Sequence, residues 1–222
     1  MEDGEPKVNE PKINEEGFGD LSHPEIVLDS HNSKVTIYRR YFDKTRCQKI
    51  FDACKDLKWV QSGPKYSYLC GGCGDVNESL GTRLTNNIMI LPVFDTMVAL
   101  QKQFKHFKNE DEGLCYFLKC LLNDYREKEC YIPYHRDVFV KDGKTVPCSL
   151  VLTLSLGITR TMKLRRLDRR NGIKVQFNLN DGDLLIMSGD CQDQFQHKIC
   201  PGLEHGRRIS LTFRKQLTSK KQ

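Results

Sequence analysis

Six histidines are spread along the 222 residues of the chain, at positions 23, 31, 106, 135, 197 and 205. One of them stands in Tyr134-His135-Arg136-Asp137. In a strand, residues two apart point to the same face, so His135 and Asp137 can reach one ion together. His197, in Asp193-Gln194-Phe195-Gln196-His197-Lys198-Ile199, supplies a second imidazole far along the chain. Two histidines and a carboxylate on one side of a metal leave the opposite positions open, the arrangement of non-haem Fe(II) oxygenases. The carboxylate lowers the charge of such a site, and the open positions take a bidentate oxo-acid and dioxygen. A lone His-x-Asp arises by chance in many chains, where a satisfied surface or core histidine is the usual explanation, so the neighbouring motifs decide its weight.

Arg208 and Arg214 follow His197 in Arg207-Arg208-Ile209-Ser210-Leu211-Thr212-Phe213-Arg214. Their even spacing lets both face inward from one strand. A guanidinium is a planar fork that pairs bidentately with a carboxylate, and an inward-facing arginine is costly without an anion. Upstream of His135, Asn123-Asp124-Tyr125 offers an amide and a phenol that can donate to the same oxo-acid.

The order Asn-x-Tyr, His-x-Asp, Gly182-Asp183 with an apolar run, His197, then Arg208-x5-Arg214 ending in Leu-Thr-Phe-Arg resembles the AlkB-like dioxygenases. The resemblance runs over residues 114 to 216 and is looser before that. It implies a double-stranded β-helix (jelly roll) and Fe(II) held by His135, Asp137 and His197. It also implies 2-oxoglutarate held by Asn123, Tyr125, Arg208 and Arg214, with the far carboxylate on Arg208. The implied activity is oxidative demethylation of N-alkylated bases in DNA or RNA, such as 1-methyladenine or 3-methylcytosine, releasing formaldehyde, succinate and CO2. Pro64-Lys65-Tyr66, followed by glycine-rich text, looks like the start of the family's base-recognition lid. The chain departs from the pattern after Asp137. Val138, Phe139 and Val140 stand where many repair members carry an acidic residue that meets the base. Arg208-Ile209-Ser210 also replaces the Arg-x-Asn of some members. The same chemistry on a protein or small molecule, or a non-catalytic jelly-roll binding module, therefore stay as alternatives.

The elements that must position these groups are legible as an α+β chain. Lys34 to Phe42 alternates as a strand. Cys47, Ile50, Phe51, Cys54 and Leu57 form one helical stripe capped by Asp43. A second helix is expected from Pro92 to Phe107, with Pro92 in its first turn. From Leu114 onward the text is mostly β. Short strands are expected at Cys148 to Leu156, Thr161 to Leu167, Ile173 to Phe177, Asp183 to Met187, Phe195 to Ile199 and Arg207 to Phe213, separated by turns such as Asn180-Asp181-Gly182. The organisation expected is a flexible tail over 1–24, helices and a substrate lid over 25–110, the jelly-roll catalytic core over 111–217 and a basic tail over 218–222.

Substrate contacts are expected from Tyr66 and Tyr68, which could stack on an extruded base, from Phe139, and from Arg165 and Arg166. The arginines belong to the basic run Arg160, Lys163, Arg165, Arg166, Arg169, Arg170 and Lys174, read either as a solvated hairpin face or as a phosphate track. Cys70-Gly71-Gly72-Cys73 lacks the second ligand pair of a zinc site, so incidental thiols in a loop are the simpler reading. Trp59 is expected to pack the first helix's end onto the sheet. The formal charge of +6 permits a polyanionic partner without demanding one. Ten cysteines and a polar, acidic start suggest an intracellular, monomeric protein with reduced thiols and no membrane partner.

Overall fold

The computed structural model describes residues 13, 17–19, 22–70, 90–103, 120–141, 143–168 and 174–214. Seventeen elements follow one another: β1 (Glu25–Ser30), β2 (Ser33–Tyr38), α1 (Lys44–Lys55), β3 (Val60–Ser62), β4 (Lys65–Cys70), α2 (Leu91–Gln103), β5 (Cys120–Tyr125), β6 (Ile132–His135), β7 (Val138–Lys141), β8 (Lys144–Pro147), β9 (Leu150–Gly157), β10 (Arg160–Arg166), β11 (Lys174–Leu179), β12 (Leu184–Gly189), α3 (Cys191–Gln194), β13 (Phe195–Ile199) and β14 (Arg208–Arg214). The strands make an eight-stranded sheet in the order β1-β2-β12-β9-β14-β5-β4-β3, a four-stranded sheet β11-β10-β13-β6, and the hairpin β7-β8. Every paired register is antiparallel. This is the jelly-roll class that the text implies.

Alternation along the central strands builds two different surfaces. In β14, Ile209, Leu211 and Phe213 are fully buried among α1, α2 and the helix-facing leucines of β9. Each such side chain contributes about 1.5–3 kcal/mol on leaving water. The intervening Arg208, Ser210, Thr212 and Arg214 point between the two sheets. Thr153 of β9 and Asn123 with Tyr125 of β5 join them on that face. A second core between the sheets contains Val35, Ile37, Met162, Leu164, Leu185 and Phe195. The large sheet is thus dry on its helix side and partly polar on its inner side.

The helices form where the text places them. The Asp43 carboxylate accepts the Arg46 N–H at 2.7 Å and caps α1. Trp59 packs edge-on against Tyr68 and donates its indole N–H to the Cys54 carbonyl. The far end of the second expected helix, to Phe107, lies outside the described residues, as do Cys73, Arg169 and Arg170. All described cysteines are free thiols, and no described helix is long and apolar enough to cross a membrane.

Within the stretch expected to be a flexible tail, Phe18 is 2% exposed, stacks edge-on on Phe42 and lies under the Arg46 guanidinium. Arg160 does not belong to a phosphate track. It is 1% exposed and donates to the carbonyls of Lys128 and Glu127. A Cβ at Gly202 would collide with that guanidinium, so the glycine is what lets it lie there.

Candidate metal and oxo-acid site

His135 closes β6 and His197 sits in β13, directly opposite in the ladder. Their rings lie 4.2 Å apart. Asp137 falls just past the strand end, in the break before β7, rather than in a continuous strand with His135. Its backbone is pinned on both sides. The N–H donates to the Gln192 side chain at 2.8 Å, and the carbonyl accepts the Cys148 N–H at 2.9 Å. One ligand atom from each of His135, Asp137 and His197 lies within 4.8 Å of the others.

The protonation of the three groups suits a divalent cation. Burial drives the His197 imidazole down to about 3, and the neighbouring His135 pushes the same way. It is neutral near pH 7, as a metal ligand must be. Nδ1 of His135 is 3.0 Å from the Pro133 carbonyl, which can only accept, so that nitrogen carries the proton and Nε2 is left for a metal. Burial alone would raise the Asp137 carboxyl; Arg214 and the two imidazoles outweigh it and hold it low. Arg214 pairs with Oδ1 of Asp137, while Oδ2 faces Nε2 of His197 at 3.5 Å. One carboxylate oxygen is therefore engaged and the other is available.

A cavity runs from this cluster along β14, lined by Asn123, Tyr125, Thr212, Arg208, Arg214 and the three clustered residues, among others. At its far end Arg208 is fully buried. Its Nε donates to Ser155 Oγ at 2.9 Å and the Tyr125 phenol lies beside the guanidinium, yet Nη1 and Nη2 have no carboxylate partner among the described residues. A buried guanidinium with an empty fork is strongly unfavourable unless an anion completes it. The donor set therefore fits a divalent metal at one end of the cavity and a dicarboxylate reaching Arg208 at the other. Tyr125 stays a neutral donor, its phenol pushed by burial to about 12.

The expected substrate contacts are not gathered here. Tyr66 and Tyr68 lie in β4, within the large sheet rather than in a loop. Tyr68 belongs to the helix-side core, and Tyr66, by alternation, lies on that face with Arg126 over its ring at 3.8 Å. Both point away from His135. Phe139 packs on the core between the sheets. Arg166 pairs with Asp168 at 3.1 Å and reaches the His31 ring. Arg165 alone lies on a surface beside the site, on the outer face of β10, over the ring of Tyr134 at 3.9 Å.

Reading by type and spacing missed Gln192, Lys65 and Ser67. Lys65 is 6% exposed, inside the large sheet, and burial lowers its ammonium to about 8, with Arg214 pushing the same way. The unfolded chain keeps that proton to about 10.5. Between those values the unfolded state binds more protons, so stability rises with pH there. Lys65→Met should be more stable than wild type at about pH 7, and the gap should shrink by about 2–3 kcal/mol by about pH 10. Urea denaturation at both pH values checks this; a gap independent of pH would contradict it. The comparison with the variant cancels the buried thiols, which work in the opposite direction.

The model of the 2OG-Fe(II) oxygenase superfamily matches residues 27–214. The chain belongs to that superfamily and is an Fe(II)- and 2-oxoglutarate-dependent dioxygenase of the AlkB-like type. Among curated proteins it is similar to alpha-ketoglutarate-dependent dioxygenase alkB homolog 3 of Homo sapiens, at 35% identity over 95% of this chain and 73% of the relative. The Mus musculus protein of that name is 28% identical over the same shares. The solved structure of OsALKBH1 superposes with a TM-score of 0.54 at 20% identity, covering 82% of this chain and 97% of that one, a likeness of fold.

Proposed function

We propose that the protein is an oxidative demethylase of N-alkylated bases in nucleic acid, with Fe(II) held by His135, Asp137 and His197. Arg208 would hold the far carboxylate of 2-oxoglutarate on its fork, with Arg214 toward the near end and Asn123 and Tyr125 offering donors from β5. The unpaired buried fork of Arg208 carries the cofactor part of this reading. Bound iron and 2-oxoglutarate supply the oxidant: one oxygen atom of O2 enters the substrate methyl group, the other enters succinate, and CO2 leaves. The hydroxymethyl amine then separates into formaldehyde and the free base nitrogen. The chain's own part is placement, a buried carboxylate and a neutral imidazole held ready, and walls such as Ile132, Leu185 and Ile199 that limit water.

One surface supports a nucleic-acid substrate. Tyr134 is next to His135 and carries Arg165 on its ring, with the Lys198 ammonium 5.0 Å from the centroid. Lys163 stands across from Lys198 on the same outer face. None of these three cations pairs with a carboxylate among the described residues. A cationic strip with an aromatic suits a single strand, where phosphates meet the charges and bases stack on rings.

The test supplies Fe(II), ascorbate and 2-oxoglutarate with oligonucleotides bearing 1-methyladenine or 3-methylcytosine, and measures formaldehyde. Release from methylated but not unmodified strands supports the reading. Turnover of 2-oxoglutarate without formaldehyde from any strand would move the substrate to a protein or small molecule. Changing Lys163, Arg165 and Lys198 together to Gln should weaken oligonucleotide binding about 10–100-fold and reduce the salt slope by about 2, while KM for 2-oxoglutarate stays put. An unchanged slope would remove this face from the interface.

A further inference from the structure

Three buried polar groups lead into the cavity from β4. The Lys65 ammonium donates to Ser67 Oγ, and Ser67 Oγ donates to Asn123 Oδ1 at 3.2 Å. Lys65, Ser67 and Asn123 are 6%, 0% and 5% exposed, and Lys65 has no carboxylate partner among the described residues. The direction of the chain is set by chemistry. An ammonium has only donors, so the serine oxygen must accept from it. The hydroxyl proton then needs an acceptor in a buried place, and the amide oxygen of Asn123 is there. An amide whose oxygen is taken presents its NH2 on the other side. Without such a partner the two ends of an asparagine side chain are nearly interchangeable.

That orientation matters at this position. Asn123 lines the cavity beside Ser210, its partner across the ladder, between Arg208 and the metal cluster. An NH2 aimed into the cavity donates to an oxo-acid; an amide oxygen aimed there would repel it. The geometry points to Lys65 and Ser67 as positioning residues that fix the Asn123 amide as a donor to 2-oxoglutarate. This rests on the assignment of Asn123 to the oxo-acid under Proposed function. The placement of both residues on the inner face of β4 follows from the register, Ser67 lying opposite Asn123.

Binding of 2-oxoglutarate to full-length protein loaded with Mn(II), measured by calorimetry, tests the relay alongside the kinetics. Ser67→Ala should weaken binding about tenfold and raise KM for 2-oxoglutarate while leaving kcat and Mn(II) affinity unchanged. Ser67→Thr, which keeps the hydroxyl, should restore wild-type binding within about twofold. Lys65→Met, which removes an uncompensated buried charge and so tolerates folding, should weaken binding like Ser67→Ala. The double variant Ser67→Ala/Asn123→Ala should bind no worse than Asn123→Ala alone, since the hydroxyl acts through the amide. Wild-type affinity in both Ser67→Ala and Lys65→Met, or losses that add in full, would overturn the relay. If Asn123→Ala and Arg208→Met lose affinity while the β4 variants do not, the relay alone fails. If all four bind normally, the cofactor assignment fails with it.

Discussion

Arg208→Met is expected to move cofactor affinity and fold stability in opposite directions. In the ligand-free protein the guanidinium is fully buried, and its two Nη groups find no carboxylate partner among the described residues. Replacing an uncompensated buried charge by an apolar side chain of similar length removes a desolvation cost, so the ligand-free variant should melt higher than wild type. The same change removes the cation that would receive the far carboxylate. Losing one side of a buried charge pair costs about 2–5 kcal/mol, so 2-oxoglutarate should bind roughly 30-fold to 4,000-fold more weakly. Thermal melts with and without saturating 2-oxoglutarate show both effects together. Wild type should gain stability from the ligand by mass action, and the variant should gain little at the same concentration. A variant that is destabilised and still binds normally would mean that Arg208 is a structural residue satisfied in some other way.

His197→Ala is expected to abolish turnover of 2-oxoglutarate, lowering it by roughly three orders of magnitude or more, about 4 kcal/mol in the barrier. Its imidazole is 6% exposed and kept neutral by burial and by His135. With His135 and Asp137 it completes the one cluster of three metal-ligand groups found among the described residues. The remaining pair still offers an imidazole and a carboxylate, so weak metal binding should survive while the three-point hold is lost. Succinate release with Fe(II) and ascorbate measures the first effect, and Mn(II) titration the second. Retention of wild-type turnover within tenfold would remove His197 from the metal set. The comparison with Arg208→Met separates the two ends of the cavity. One variant should bind metal only weakly with the Arg208 fork intact, and the other should lose the oxo-acid with metal binding intact.

Much of this site is written locally. Arg208 and Arg214 sit six apart, and a strand's period of two carries both to one face whatever the neighbouring strands do. The apolar Ile209, Leu211 and Phe213 between them say which face is dry. The same rule holds in β4. Lys65 and Ser67 alternate with Tyr66 and Tyr68, so one pair must face the cavity and the other the helices. Residue type favours the tyrosines as the working pair. The choice is made by α1 and Trp59, which cover the tyrosine side and leave the inner side to the lysine.

The amino-acid sequence by itself determined the ingredients that depend on spacing along one strand or one motif: the histidine–carboxylate pair, the two inward arginines, the capped first helix and the β-rich second half. Only the tertiary structure decided which distant groups meet. It brought His197 across from His135 through the pairing of β13 with β6. It held Asp137 by Gln192 from 55 positions away and spent Arg160 on two backbone carbonyls. It also set Lys65 and Ser67 behind Asn123. The physical reason is one of range. Side-chain direction follows from local backbone geometry, whereas strand order and register are chosen by the burial of the whole sheet, and no short stretch of sequence contains them.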